Sequence, residues 1–477
     1  MTLTPPRRFD LLVVGGGAAG LSAASVASRA GSRVGLIERH RLGGDCLYTG
    51  CIPSKALLRA AALAHAQRQG GALGIAAHEP VVDFTALREH LNQVIARIEP
   101  EDSEARYQAL GVTVVRGEAT VESDFRLRVD ETLLKGRSLV IATGATPRLP
   151  DLPGLSNAPW FTSETLWDLE ELPRKLIILG GGPLGCEIGQ AYRRLGSQVT
   201  IVESAPRLLA GEPEAISQTL ATALSEEGLR ILTARRALRI EQGGGRFELI
   251  LENGTGHLEH FPFDALLIAV GRCARTDGLE ALGLTLEPTG RIRSDPFLRT
   301  SRPGCYAAGD VTSPLHFTHV AGQQGAYAAL NALFRPLLRL RWATSPVPRV
   351  TYTDPEIASV GTEAGGDVAE TLEIPLAEIN RAVTDGAIHG VAHFGIDRHG
   401  HLVSASLCMP HAGESIAQVA LAMRERFSLS RLLGLIQPYP TYAEMHRRVA
   451  TRWRERHVSP TSRRFAAALL GLLRTLD

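Results

Sequence analysis

Phe9-Asp10-Leu11-Leu12-Val13-Val14-Gly15-Gly16-Gly17-Ala18-Ala19-Gly20 is the stretch on which the fold turns. Its apolar run, Phe9 to Val14, is short, rich in branched side chains and bounded by glycine, which predicts a buried strand. An alanine-rich stretch to Ala30 then reads as a helix broken at Gly31, and Val34 to Ile37 as a second strand ending on Glu38. Strand, glycine turn, helix, strand and acid form the order of a dinucleotide-binding unit. In that order Gly15 makes the tight turn, Gly17 lets a pyrophosphate approach the backbone, Gly20 lets helix and strand pack, and Glu38 is placed for ribose hydroxyls. A single glycine pattern is weak evidence, because glycines also serve as plain turns.

The pattern returns 165 residues later. Lys175 to Leu179 supplies the strand, Gly180, Gly182 and Gly185 the turn, Gly196 stands where Gly31 does, and Glu203 where Glu38 does. Arg29-Ala30-Gly31-Ser32 is echoed by Arg194-Leu195-Gly196-Ser197. These matches at a single offset predict two dinucleotide sites, one per unit.

Between the units, Ser138 to Ile141 reads as another buried strand, closed by Ala142-Thr143-Gly144 and followed by a loop holding Pro147, Pro150, Pro153 and Gly154. Ala265 to Val270, ending at Gly271-Arg272 and opening into Cys273 to Gly278, mirrors it. The two segments are expected to cross into and out of an inserted domain. Cys305-Tyr306-Ala307-Ala308-Gly309-Asp310 puts an acid after a small-residue strand, and Ala321 to Phe334 reads as a helix. Past Pro346 and Pro348, strand-like runs at Val350 to Tyr352, Ala392 to Ile396 and His401 to Cys408, with helices around 413–426 and 441–455, predict an α+β domain. The expected architecture is α/β: two Rossmann-like domains, 1–149 with 274–345 and the inserted 150–273, followed by a C-terminal α+β domain at 346–477.

A chain of 477 residues is too long for one core. Its formal net charge of +1 supplies no global field to recruit nucleic acid. Six scattered cysteines do not make a secreted disulfide framework, so a reducing, cytoplasmic setting is expected. Met1 to Arg8 is polar and lacks the apolar core of a signal peptide, and no stretch reaches the length of a transmembrane helix. Phe465 to Leu473, flanked by Arg463, Arg464 and Arg474, reads as an amphipathic surface helix, with docking on its own dimer favoured over contact with a membrane.

Gly43-Gly44-Asp45-Cys46-Leu47-Tyr48-Thr49-Gly50-Cys51-Ile52-Pro53-Ser54-Lys55 carries the reactive groups. Five residues of regular helix separate Cα atoms by about 7.5 Å, beyond the roughly 7 Å that a disulfide spans. A bridge between Cys46 and Cys51 therefore requires an unwound turn, for which Gly50 and Pro53 are suitable. Two unpaired small hydrophobes are the plain alternative.

This stretch resembles the redox signature of the class I pyridine nucleotide-disulfide oxidoreductases, the family of dihydrolipoamide dehydrogenase, glutathione reductase and mercuric reductase. Ala142-Thr143-Gly144, Val270-Gly271-Arg272 and Ala308-Gly309-Asp310 are similar to its domain-closing motifs, and Thr353-Asp354-Pro355-Glu356-Ile357-Ala358 and Pro410-His411-Ala412-Gly413-Glu414 to its interface domain. The resemblance implies FAD in the first unit, held by Gly15, Gly17, Gly20, Glu38, Lys55, Ala119, Thr143, Gly144, Asp310 and Thr318. It implies a nicotinamide nucleotide in the second, held by Gly180, Gly182, Gly185, Glu203 and Gly271, and a homodimer whose partner completes the active site. Cys51 is then the thiolate facing the flavin, Cys46 the more exposed thiol that meets substrate, and Lys55 pairs with Glu187. Glu203 favours NAD over NADP, with Arg207 four residues on as the residue that softens this preference.

The match fails at one point. Disulfide-substrate members carry His-Pro-Thr-x-x-Glu, whose histidine serves the exchange thiol; here Gln437-Pro438-Tyr439-Pro440-Thr441-Tyr442-Ala443-Glu444 has Tyr439 at the histidine and keeps Glu444. A phenol of ordinary pKa near 10 is a poor base beside an imidazole near 6.5. His446 is expected to be a plain surface histidine. Tyr439, with Asp45 and Tyr48, leans toward mercuric-reductase-like members, yet no cysteine follows Cys408 to deliver a metal, no N-terminal metal-binding domain is seen, and no dedicated metal site is expected. The expected activity is NAD(P)H-dependent electron transfer through Cys46 and Cys51 to a soft metal ion, a quinone or a small oxidant. A diverged dihydrolipoyl dehydrogenase acting on a lipoyl protein, and a flavin-bound scaffold without turnover, are the alternatives.

Overall fold

The computed structural model describes residues 6–343, 346–362, 367–458 and 460–475. The boundary expected at 345/346 and the polar stretch Met1–Arg8 fall partly on residues outside these. The chain divides into two units, Met1–Pro206 with Glu227–Ala343, and Arg207–Glu226 with Thr344–Asp477.

The first unit is built on two parallel sheets. In one, Val112–Arg116, Val34–Glu38, Arg7–Val14 and Thr132–Ile141 lie in that order, and Cys305–Ala307 closes on the end of Thr132–Ile141. The strand Arg7–Val14 is paired on both sides, Leu12 facing Gly35 and Leu139, so Leu11, Leu12 and Val13 are fully buried. This is why the run carries no alternation. Two further strands, Arg126–Val129 and Ala119–Ser123, extend the sheet antiparallel from Thr132 onward.

The helix Ala18–Arg29 follows the glycine turn and packs against the helix Thr318–Leu333. The alanines make this approach close: a Cβ on Gly325 would stand 2.0 Å from the Ala19 carbonyl oxygen. The second sheet runs Arg230–Leu232, Gln198–Val202, Lys175–Leu179, Ala265–Ile268 and Trp160–Phe161, all parallel. The two segments read as crossings pair with each other, Ala145–Pro147 antiparallel to Arg272–Ala274. A three-stranded antiparallel sheet, Arg236–Gly243, Arg246–Glu252 and Leu258–Phe263, was not foreseen.

The second unit is a five-stranded antiparallel sheet in the order Pro348–Thr351, Ile357–Gly361, Leu402–Cys408, Val391–Ile396 and Glu370–Pro375. The helices Ala412–Arg424 and Glu444–His457 contribute Ile416, Val419, Met445 and Val449 to its core. Residues 207–226, expected within the inserted domain, group with this sheet instead. The cause is local: Glu212 accepts from Arg349 at 2.7 and 3.1 Å and from Ser359 at 2.6 Å, and Ile216, Leu220 and Leu224 are buried.

Candidate active site

The two glycine turns are superposable in their contacts. Gly15 and Gly180 have φ of +105° and +112°, and a Cβ at either would lie 2.2 and 2.4 Å from the carbonyl oxygen of Ala142 and Ala269. A Cβ on Gly20 would stand 1.8 Å from the Gly15 oxygen, and on Gly185 1.9 Å from the Gly180 oxygen. Glu38 Oε2 accepts from Gly16 N at 2.6 Å and Oε1 from His40 N at 2.7 Å. Glu203 repeats both, accepting from Gly181 N and Ala205 N at 2.7 Å. Each carboxylate is thus pinned at its strand end beside a helix, Ala18–Arg29 or Pro183–Leu195, whose N-cap is Gly17 or Gly182 and whose first turn carries no acid and no side-chain cap.

A cavity of about 790 Å³ opens from the first turn. Gly15, Gly17, Glu38, Ala119, Thr143, Gly144, Asp310 and Thr318 all stand on its wall, together with both cysteines. Thr143 is fixed there by its hydroxyl, which donates to Arg275 O at 2.6 Å. Burial pushes the Asp310 carboxyl up from its usual range. Gly271 has φ of +108°, with no atom within 4 Å of the position of a Cβ.

The cysteine stretch is unwound where the spacing requires it. One helix, Gly44–Tyr48, ends before Gly50, whose φ and ψ of −117° and −112° are non-helical, and a second, Cys51–Gln69, begins at Cys51. The Cys46 and Cys51 thiols hydrogen-bond each other. The hydrogen bond from Cys46, a second from Thr318 Oγ1 at 3.5 Å and the charge of Lys55 hold the Cys51 thiol down to about 6 against the opposing effect of burial. Cys46 moves the other way, raised by that same hydrogen bond and by burial. Cys51 is exposed and Cys46 half-buried, the reverse of the expected order, because Cys51 opens onto the cavity at the start of its helix. Lys55 Nζ lies 2.9 Å from Glu187 Oε2, and Glu187 is buried in the helix Pro183–Leu195.

Two contacts here had no signal in the sequence. Arg272, closing the second crossing, donates to Asp45 in the cysteine stretch and to Ala145 O at 2.6 Å, and its Nε lies 3.9 Å from Asp310. Trp167 Nε1 donates to Thr49 O at 3.0 Å, bracing the loop between the cysteines.

In the second unit Tyr439 is 70% exposed, its hydroxyl accepting from Asn380 Nδ2 at 2.9 Å. Glu444 Oε1 accepts from Arg448 at 3.1 Å, and its Oε2 is buried without a partner among the described residues. His446 is not a surface histidine. It is buried, its Nδ1 is 2.9 Å from Gln418 Oε1, and desolvation holds it down to about 4, so it is neutral at physiological pH. Its place on the inner face of Glu444–His457, beside Met445 and Val449, is the reason.

Residues 9–325 match the family described as pyridine nucleotide-disulphide oxidoreductase, and residues 347–450 its dimerisation domain. The chain is 31% identical over 445 residues to a mercuric reductase of Staphylococcus aureus, covering 91% of this chain and 81% of that one. It is 31% identical over 450 residues to a dihydrolipoyl dehydrogenase of Chlamydia muridarum, covering 92% and 95%. Among solved structures it is similar to the HOCl-induced flavoprotein disulfide reductase RclA of Escherichia coli, also solved as a Cu(II) complex, with a TM-score of 0.81, 28% identity and 93% and 99% of the two chains covered. LpdA of Mycobacterium tuberculosis gives 0.83, 27%, 94% and 99%. Two matched glycine turns, a cavity ending at two cysteines and these likenesses over nearly the whole chain lead to one assignment: the chain belongs to the class I pyridine nucleotide-disulfide oxidoreductases, FAD-dependent enzymes that use NAD(P)H or its oxidised form.

Proposed function

We propose that this chain is a homodimeric, NADH-preferring, cytoplasmic FAD-dependent disulfide oxidoreductase that passes an electron pair through Cys46 and Cys51 to a soft metal ion, a quinone or a small oxidant. The residues present suit FAD: the cavity holds a glycine-capped helix N-terminus free of acids for a pyrophosphate, and the pinned Glu38 for ribose hydroxyls. Gly15, Gly17, Gly20, Glu38, Ala119, Thr143, Gly144, Asp310 and Thr318 would hold it, with Lys55 beside the cysteines. When bound, FAD accepts hydride from NAD(P)H and hands an electron pair to the disulfide.

The residues of the chain then divide the work. The two electrons and one proton break the Cys46–Cys51 bond, leaving a thiol on Cys46 and a thiolate on Cys51. Thr318 and Lys55 stabilise that thiolate, and Glu187 anchors Lys55. The acceptor leaves with two electrons, the proton is released, and the pair returns to the disulfide. Gly180, Gly182, Gly185 and Gly271 would line the nicotinamide nucleotide. At its ribose Glu203 accepts from hydroxyls and repels a 2′-phosphate, while Arg207 is committed to carbonyls of its own turn, Ala210 and Glu212, at 2.8 and 2.9 Å.

The observation that carries the choice of acceptor is Tyr439 in the place of a histidine, with the nearby His446 buried, neutral and bound to Gln418. Exchange with a dithiol substrate needs a base worth about 10²- to 10⁴-fold. A soft cation held by two thiolates, or an oxidant that takes electrons alone, does not. A Cu(II) complex of a relative with 28% identity is in keeping with this. The likeness to dihydrolipoyl dehydrogenases supports the second reading, oxidation of a dihydrolipoyl protein with Tyr439 as base. A homodimer is supported by the dimerisation domain and by Leu421, Leu435, Ile436 and Tyr439, which expose 57, 53, 96 and 70% of their surface. A steady-state panel tests the reading: NADH and NADPH with Hg(II), Cu(II), a quinone and glutathione disulfide, and dihydrolipoamide with NAD. Turnover on a metal ion or quinone, with lipoamide about 10²-fold or more slower, is expected; rapid lipoamide turnover overturns it.

A further inference from the structure

The helix Pro460–Leu473 plays no part in the site above. Every residue from 463 to 475 is exposed, Phe465 by 71% and Leu472 by 60%. At 3.6 residues per turn Phe465, Leu469, Leu472 and Leu473 share a sector about 100° wide, and Arg463, Arg464 and Arg474 share one of similar width on the opposite side. The helix thus presents an unpaired apolar face backed by cations.

The charge continues into the preceding helix, Glu444–His457. From Glu444 to Arg474 the chain has eight arginines and two glutamates, although its net charge is only +1, so the rest of the molecule is net acidic. Arg447, Arg454, Arg463, Arg464 and Arg474 make no ion pair among the described residues, whereas Arg448, Arg452 and Arg456 are paired with Glu444, Glu378 and Glu370.

Three coverings suit an apolar helix face: its own core, a second copy, or a bilayer. The first is not used. A second copy meeting this helix through the same helix would cover the apolar face but bring no acid to Arg463, Arg464 and Arg474, since a two-fold contact uses one patch twice. The matched dimerisation domain also ends at residue 450, before the helix begins. An anionic bilayer surface complements both faces at once. Fourteen residues span about 21 Å, short of the roughly 30 Å of a hydrocarbon core, so the helix lies in the interface and does not cross it.

We infer that Pro460–Leu473 is a membrane-surface anchor, laying Phe465, Leu469, Leu472 and Leu473 into an anionic leaflet with Arg463, Arg464 and Arg474 at the level of the lipid phosphates. This stands apart from the identity of the electron acceptor. The test is sedimentation of the full-length holoprotein with vesicles of one part phosphatidylglycerol to two parts phosphatidylcholine, and with phosphatidylcholine alone. Binding to the first and not the second is expected, with loss of most of it as salt rises from roughly 0.1 to 1 M and the Debye length falls from about 10 to 3 Å. Leu469→Glu with Leu472→Glu should abolish sedimentation, and Arg463→Glu with Arg464→Glu should weaken it about tenfold or more, both with unchanged flavin content and unchanged mass by light scattering. No sedimentation of the parent protein, or sedimentation that the leucine variant retains, overturns the proposal. A fall in mass of the leucine variant also overturns it, assigning the face to a second copy.

Discussion

Cys51 is prepared as an anion by three neighbours: Cys46 and Thr318 give hydrogen bonds and Lys55 a charge. Its lowered pKa fixes the sign of the pH dependence. Thiolate is present above about pH 6 and is lost as pH falls through that value. Alkylation of the reduced protein by iodoacetamide should therefore keep its rate at Cys51 down to about pH 6; a rate that rises only near 9.0, the ordinary thiol value, contradicts this. Cys305 and Cys408, pushed up to about 12 by burial, should not react. At the other site, Glu203→Ala should raise KM for NADH about tenfold and improve NADPH as substrate, both read from initial rates; unchanged discrimination places the choice elsewhere. The Lys55–Glu187 pair was legible only through the family resemblance, since the two residues lie 132 positions apart. The Thr318 contact to Cys51 and the Arg272–Asp45 pair were not legible, since partners 267 and 227 residues apart leave no local pattern. The burial of His446 was equally hidden: its helix is rich in arginine, and only tertiary packing tells its inner face.

The glycine turns are the elements on which both nucleotide units rest. They were legible because the backbone demands are severe: a Cβ on Gly20 or Gly185 falls inside the carbonyl of Gly15 or Gly180. Their separate roles give a paired prediction. Gly20→Ala should purify with little flavin, while Gly185→Ala should keep flavin and lose its reduction by NADH; flavin absorbance before and after anaerobic NADH reads both. Each substitution should cost stability by more than the roughly 1–3 kcal/mol of ordinary overpacking, because the atom met is backbone. A Gly185→Ala protein reduced at the parent rate would remove the second turn from the nucleotide site. The antiparallel strands from Arg236 to Phe263 are not legible in the sequence because their burial does not alternate cleanly, Arg236–Gly243 having one buried residue in eight. The grouping of residues 207–226 with the second unit is hidden for a related reason. The helix Glu214–Glu226 has the amphipathic pattern of any surface helix, and only Glu212, held by Arg349 and Ser359, reveals which sheet it covers.

For the whole molecule, two glycine motifs and one cysteine motif made the family legible, and the tyrosine at 439 marked where the sequence departs from the His-Pro-Thr-x-x-Glu pattern of the disulfide-substrate members. Exposed Leu435 and Ile436 give the dimer its test. Ile436→Asp should shift the mass by light scattering from dimer to monomer and lose turnover while keeping flavin; a dimer of unchanged mass contradicts an interface at that position. In the proposed reaction Cys46 and Cys51 form the electron relay between flavin and acceptor. Anaerobic titration with NADH tests it most directly, followed by absorbance in the parent protein and in Cys46→Ser and Cys51→Ser. The parent should take up one electron pair beyond the flavin's own and develop a long-wavelength thiolate–flavin band, Cys46→Ser should show the band without the extra pair, and Cys51→Ser should show neither. A parent protein that takes up only the flavin's electron pair, with no band, would contradict it.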